Sequence, residues 1–179
     1  MITIFEGPRN SGKTFLAKHF STLNKLPIFK FEFVDWFNSL ELEDKSKSTH
    51  LFALGKEAML MQLNRDGLIY DFILDRGFLT VFTWAIISGR ITEQEARNQI
   101  EIVINKGLIS NIRIVKVNGK NPDTQPRNKD NWDFRDFADD ESETMERLIL
   151  FLNSKCPQLQ VIEIENTFTP QTLEKLKEI

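Results

Sequence analysis

Apolar positions along the chain recur with two different periods, and each switch of period marks a change of element. Residues 2–6 (ITIFE) form a short apolar run that stops at Gly7, and a helical pattern follows with Phe15, Leu16, Phe20 and Leu23 on one side. Residues 27–33 (PIFKFEF) alternate strictly, with Phe29, Phe31 and Phe33 on one face, as expected of an edge strand with one solvated face. Residues 68–75 (LIYDFILD) are nearly continuously apolar and 112–117 (IRIVKV) mostly so, which predicts central strands covered on both faces. Residues 161–165 (VIEIE) alternate again and belong near the other edge. Helical patterns occupy 51–63, 78–88, 93–106 and 137–153. The third of these carries a capping box, Thr92 with Glu95, and Gly107 just past its end. The polar stretch 41–49 (ELEDKSKST) reads as an exposed connection.

Strands alternating with helices predict a parallel sheet wrapped on both sides. Two alternating outer strands around three apolar inner ones fit a five-stranded α/β fold whose first strand is central. A chain of 179 residues with 41% hydrophobic and 27% charged content is expected to form one domain, spanning residues 1–179.

Composition narrows the setting. The single cysteine, Cys156, forms no internal bridge, so a reducing cytoplasm is the expectation. The N-terminus has no basic leader, and no stretch approaches the roughly 20 apolar residues of a membrane span. A net charge of -3 argues against a broad surface that tracks nucleic-acid phosphates. His19 and His50 form no metal constellation, and the 15 phenylalanines read as core and crevice lining. Phe33, Trp36, Phe78 and Phe82 offer rings for stacking on a base, with a packing role as the plainer alternative.

The chemistry concentrates at Gly7-Pro8-Arg9-Asn10-Ser11-Gly12-Lys13-Thr14, a Gly-x-x-x-x-Gly-Lys-Thr spacing placed straight after a strand and straight before a helix. Glycines let the backbone curl so that N–H groups face phosphate oxygens, and the helix N-terminus adds partial positive charge. Lys13 is expected to neutralise the β- and γ-phosphates of ATP, and the Thr14 hydroxyl to ligate Mg²⁺.

Asp75 and Arg76 end the most apolar strand, on the side where open α/β sheets place their ligand crevice. The aspartate suits Mg²⁺ through water and the arginine an acceptor phosphate or sugar, against a structural ion pair as the alternative. Glu32, Asp35 and Trp36 follow the second strand and are the acceptor-side candidates. A carboxylate base is needed when the acceptor is a hydroxyl and hardly at all when it is a phosphate. Residues 118–135 (NGKNPDTQPRNKDNWDFR) form a long polar loop of the kind that serves as a lid, offering Arg127, Lys129 and Arg135 to a transferring phosphoryl group, against a solvated flexible loop as the alternative.

With GPRNSGKT, FILDRG and QPRNKDNWDF in place, the sequence resembles the P-loop nucleoside and nucleotide kinases, in particular the thymidylate kinase-like group. That resemblance implies a three-layer P-loop kinase fold with sheet order 2-3-1-4-5 and a lid segment at about 118–136. It also implies ATP and Mg²⁺ as cofactors, a deoxynucleoside monophosphate or deoxynucleoside as acceptor, and a homodimer. Thymidylate kinases carry an Asp-Arg pair at the third strand's end, which implies metal and acceptor roles for Asp75 and Arg76. Arg127 best matches their lid arginine, with Arg9 second. Departures are Gly77 where an aromatic is usual, Arg9 where an acidic residue is usual, and a missing Glu-Pro after the second strand. Two other readings are a polynucleotide or modified-base DNA kinase, which predicts a basic track, and a P-loop ATPase or switch module without an acceptor.

Overall fold

The computed structural model describes residues 1–30, 45–119 and 137–179. Its elements, in chain order, are β1 (Ile2–Glu6), α1 (Lys13–Asn24), β2 (Ile28–Lys30), α2 (Lys45–Arg65), β3 (Phe72–Asp75), α3 (Phe78–Ile87), α4 (Glu93–Asn105), β4 (Ile112–Asn118), α5 (Phe137–Lys155), β5 (Gln160–Glu165) and α6 (Pro170–Leu176). The strands form one parallel sheet in the order β2-β3-β1-β4-β5, so the expected order holds and the strand feeding the phosphate loop is central.

Period-two alternation divides each inner strand between two cores. Ile2, Ile4, Phe72, Leu74, Ile112 and Ile114 pack beneath α2, α3, α4 and α5, where Phe78, Phe82, Ile100 and Leu148 are buried. Phe5, Ile73, Val115 and Val117 pack on the other side against Leu16, Ala17 and Phe20 of α1 and Leu176 of α6. The result is three layers with helices on both faces. None of the helices among the described residues is long and apolar enough to cross a membrane.

Boundaries differ from expectation in three places. The third strand starts at Phe72 rather than at 68, and Leu68 and Tyr70 are exposed. There the chain leaves α2 through Gly67, whose φ is 71°, while the Asn64 amide donates to the carbonyls of Ile69 and Tyr70. Those carbonyls are thereby satisfied without a strand neighbour. Helix α2 begins at Lys45, inside the stretch read as a connection; KSKST contains neither glycine nor proline to stop it. The short α6, unforeseen, opens on Thr169 with Pro170 in its first turn, a common start signal. The capping box at Thr92 forms as expected, with reciprocal bonds to Glu95. Residues 31–33 of the expected second strand lie outside the described residues.

Phe82 is fully buried and stacks edge-on to Phe78 at 6.5 Å, so both rings serve packing. Replacing it leaves a cavity that the rigid sheet cannot close. Phe82→Ala is expected to lower unfolding free energy by about 3–5 kcal/mol, read as a shifted denaturant midpoint at unchanged slope.

Candidate functional site

The phosphate loop leaves the C-terminal edge of the sheet and returns as α1. Its curl depends on backbone that glycine supplies. Gly7 has φ 152° and Gly12 has φ 82°, and space is as restrictive as torsion. A methyl group at Gly7 would collide with the Val117 carbonyl of β4, and one at Gly12 with the Asn166 amide and the Phe168 ring. Asn10 takes a third left-handed position at φ 60°, which asparagine tolerates better than most residues.

Three neighbours hold the loop. The Asn166 amide, just beyond β5, donates to the Ser11 carbonyl at 2.8 Å. Glu141 of α5 accepts the Arg9 backbone N–H at 2.7 Å and pairs with the Arg9 guanidinium at 3.2 Å. That guanidinium lies 3.5 Å over the Trp84 ring of α3, a cation–π contact. Arg9, expected among the phosphate binders, thus has its N–H committed to Glu141.

Lys13 is the first residue of α1, buried, and donates to the Pro8 carbonyl at 2.9 Å. Burial and the nearby positive charge of Arg76 pull its ammonium down to about 8, against the opposing pull of Glu6, Glu141 and Asp75. Arg76 also acts on Arg9, whose pKa burial lowers. The Thr14 hydroxyl donates to Asp75 Oδ1 at 3.1 Å, joining the start of α1 to the end of β3. Asp75 lies on the α1 side of the sheet because Ile73, two residues before it, packs there. Arg76 follows with φ 77° and donates its N–H to the Phe5 carbonyl at 3.0 Å.

Lys13, Thr14, Asp75 and Arg76 are therefore brought together. Parallel pairing of β2 with β3 sets Lys30, the last residue of β2, beside Asp75. Glu32, Asp35, Trp36, Arg127 and lid residues 120–136 lie outside the described residues. No group of metal-ligating side chains occurs among the described residues. The Thr14–Asp75 pair nevertheless offers two hard oxygen donors at the loop's mouth, a set that fits Mg²⁺ with water and phosphate as remaining ligands. The buried Ser11 hydroxyl has no partner among the described residues, as suits a loop built for an anion.

Glu6, Glu57 and Glu141 are buried acids that pattern reading passed over. Glu6 was visible as a carboxylate ending an apolar strand; the other two sit on helices, where acids are ordinary.

No family model matches the sequence, and no curated protein matches it. Solved structures do. A deoxyadenosine kinase from M. mycoides, bound to dCMP and dCDP, superposes with a TM-score of 0.63 at 13% identity, covering 100% of both chains. Thymidylate kinase from Ehrlichia chaffeensis gives 0.62 at 14%, covering 99% of this chain and 97% of that one. Thymidylate kinase from Candida albicans gives 0.58 at 18%, covering 99% and 89%. The chain has the thymidylate kinase-like P-loop kinase fold. Lys13, Thr14, Asp75 and Arg76 meet where the loop after β1 adjoins the end of β3.

The depressed Lys13 predicts a proton-linked binding event. With its ordinary proton partly lost at pH 8, the ammonium should regain it when a polyphosphate arrives. Calorimetry of ATP binding at pH 8 in buffers of different ionisation heat should show net proton uptake that Lys13→Met abolishes; equal heats would contradict this.

Proposed function

We propose that the protein is an ATP-dependent phosphotransferase that moves the γ-phosphoryl group to a deoxynucleoside monophosphate or a deoxynucleoside. The observation that carries this reading is the 3.1 Å contact between Thr14 and Asp75, beside Lys13 at the end of the central strands. A loop that merely capped a helix would have no reason to meet a carboxylate from another strand at its first turn. Support also comes from neighbours of the same fold that act on deoxyadenosine and thymidylate.

Phosphoryl transfer asks little covalent chemistry of a protein and much positioning and charge neutralisation. Lys13 would leave the Pro8 carbonyl for the β- and γ-phosphates. Thr14 and Asp75 would hold Mg²⁺, which when bound draws charge from the phosphate oxygens. Arg76, fixed by its N–H on Phe5, would meet the acceptor side of the transferring group. Arg9 is a placed charge rather than a mobile one, since Glu141 and Trp84 hold it. The closing arginine in this reading is Arg127, with Glu32, Asp35 and Trp36 on the acceptor side.

ADP release from ATP and Mg²⁺, measured against a panel of deoxynucleosides, their monophosphates and a 5′-hydroxyl oligonucleotide, tests the reading. One small acceptor should stimulate strongly, and Lys13→Ala should reduce that rate by at least about 100-fold. Near-native turnover in Lys13→Ala would remove Lys13 from the mechanism, and a response to the oligonucleotide alone would move the acceptor to nucleic acid.

A further inference from the structure

Behind the phosphate loop, on the opposite side of the sheet from Asp75, two buried acids crowd one backbone position. A methyl group at Gly77 would lie 2.8 Å from Glu57 Oε1 and 2.9 Å from Glu6 Oε1, and 2.5 Å from the Ile4 side chain. The room that a side chain at 77 would need is thus taken by two carboxyl groups. Both acids are buried, at 0% exposure for Glu6 and 2% for Glu57.

Their hydrogen bonding is unequal. Glu6 accepts the N–H groups of Leu79 at 3.1 Å and Thr80 at 3.2 Å, and the Thr80 hydroxyl, at the positive end of α3. Those are three donors suited to an ionised carboxylate. Glu57 has the Phe78 N–H, and its Oε1 has no partner among the described residues. A buried carboxylate oxygen without a donor is costly, and costlier beside a second one, whereas a protonated carboxyl can donate.

We propose that Glu57 and Glu6 form a carboxylic acid–carboxylate pair that holds one proton between them, and that this pair is a positioning device for the Asp75-Arg76-Gly77 turn. Glu57 carries the proton and Glu6 stays the acceptor for α3. The proposal rests on the kinase reading for its activity arm only. The turn needs such support, because Arg76 sits at φ 77°, a conformation that is strained for a non-glycine residue and persists only where surroundings over-determine it. On one side the turn is tied by Arg76 N–H to Phe5. On the other it is wedged by Ile4, Glu6 and Glu57. The pair also explains why glycine stands at 77, since any larger residue would displace it.

The surroundings favour a retained proton. Burial pushes Glu6 up to about 7 despite its donors, and burial together with Glu6 pushes Glu57 well above the usual carboxylate range. The charged group acting on Glu6 is Lys13, from the start of α1; helix α3 (FLTVFTWAII) brings N–H groups and a hydroxyl but no charge, and Glu57 itself comes from α2. For an acid whose folded pKa is raised, stability is full below the unfolded value and falls as pH rises through the folded one.

The test is the same swap at both acids, read two ways. Glutamine resembles the protonated acid, so Glu57→Gln should keep the fold and turnover. Its melting temperature should lose the part of the wild-type fall that lies above neutrality, where Glu57 alone still holds a proton, and keep the part up to neutrality that Glu6 carries. Glu6→Gln presents an amide to groups that need an acceptor, so it should lower the melting temperature or, where folded, lower kcat while leaving nucleotide affinity near native. Equal damage from both substitutions, or a wild-type melting temperature that does not fall over that range, would overturn the pairing. The melting profiles need no acceptor, so they decide the shared proton even if no substrate is found.

Discussion

The crevice depends on a backbone curl that would not persist by itself. Between β1 and α1 the chain turns through Gly7, Asn10 and Gly12, all at positive φ, and lines up a helix N-terminus with the end of the central strands. What keeps it there is contact from far along the sequence: Val117 crowds Gly7, Asn166 holds the Ser11 carbonyl, and Glu141 takes the Arg9 N–H. The loop is therefore preorganised, and binding energy need not be spent in shaping it. Each of those contacts comes from the strand ends or the flanking helices, so the sheet order is what brings them to the loop.

Charge follows from that geometry. Lys13, Arg9 and Arg76 converge at the loop, against Asp75 and Glu141, with the Glu6 carboxyl behind them, pushed up by burial and held by the donors of α3. Crowded cations at a buried lysine lower its pKa, and a polyanion relieves the crowding. In the proposed reaction the same arrangement would serve binding and chemistry, because charge fixed in place before reaction requires no reorganisation during it.

Much of this architecture could be read from the residues. A nearly continuous apolar run at 68–75 and a mostly apolar one at 112–117, against alternating ones at the edges, encode which strands are covered twice, and that ordering of the sheet appears in the structure. The phosphate loop was legible because its chemistry is contiguous. The turn after α2 was not: Leu68, Ile69 and Tyr70 have strand-like composition, and the polar side chain that satisfies the carbonyls of Ile69 and Tyr70, Asn64, belongs to the preceding helix. Glu57 and Glu141 escaped for a related reason. On a helix an acid looks solvated, and only the fold reveals that Glu57 meets Gly77 or that Glu141 reaches a loop 132 residues earlier. Local periodicity reports which face is apolar; it does not report which polar groups are stranded beneath it.

The central claim is that the γ-phosphoryl group goes to a small acceptor and not to water. Phosphorus NMR of a mixture of protein, ATP, Mg²⁺ and deoxynucleosides or their monophosphates follows that group directly. The account predicts that, as the ATP signals decline, a new phosphomonoester or diphosphate resonance grows in step with ADP. Growth of inorganic phosphate alone, with every acceptor unchanged, would contradict it.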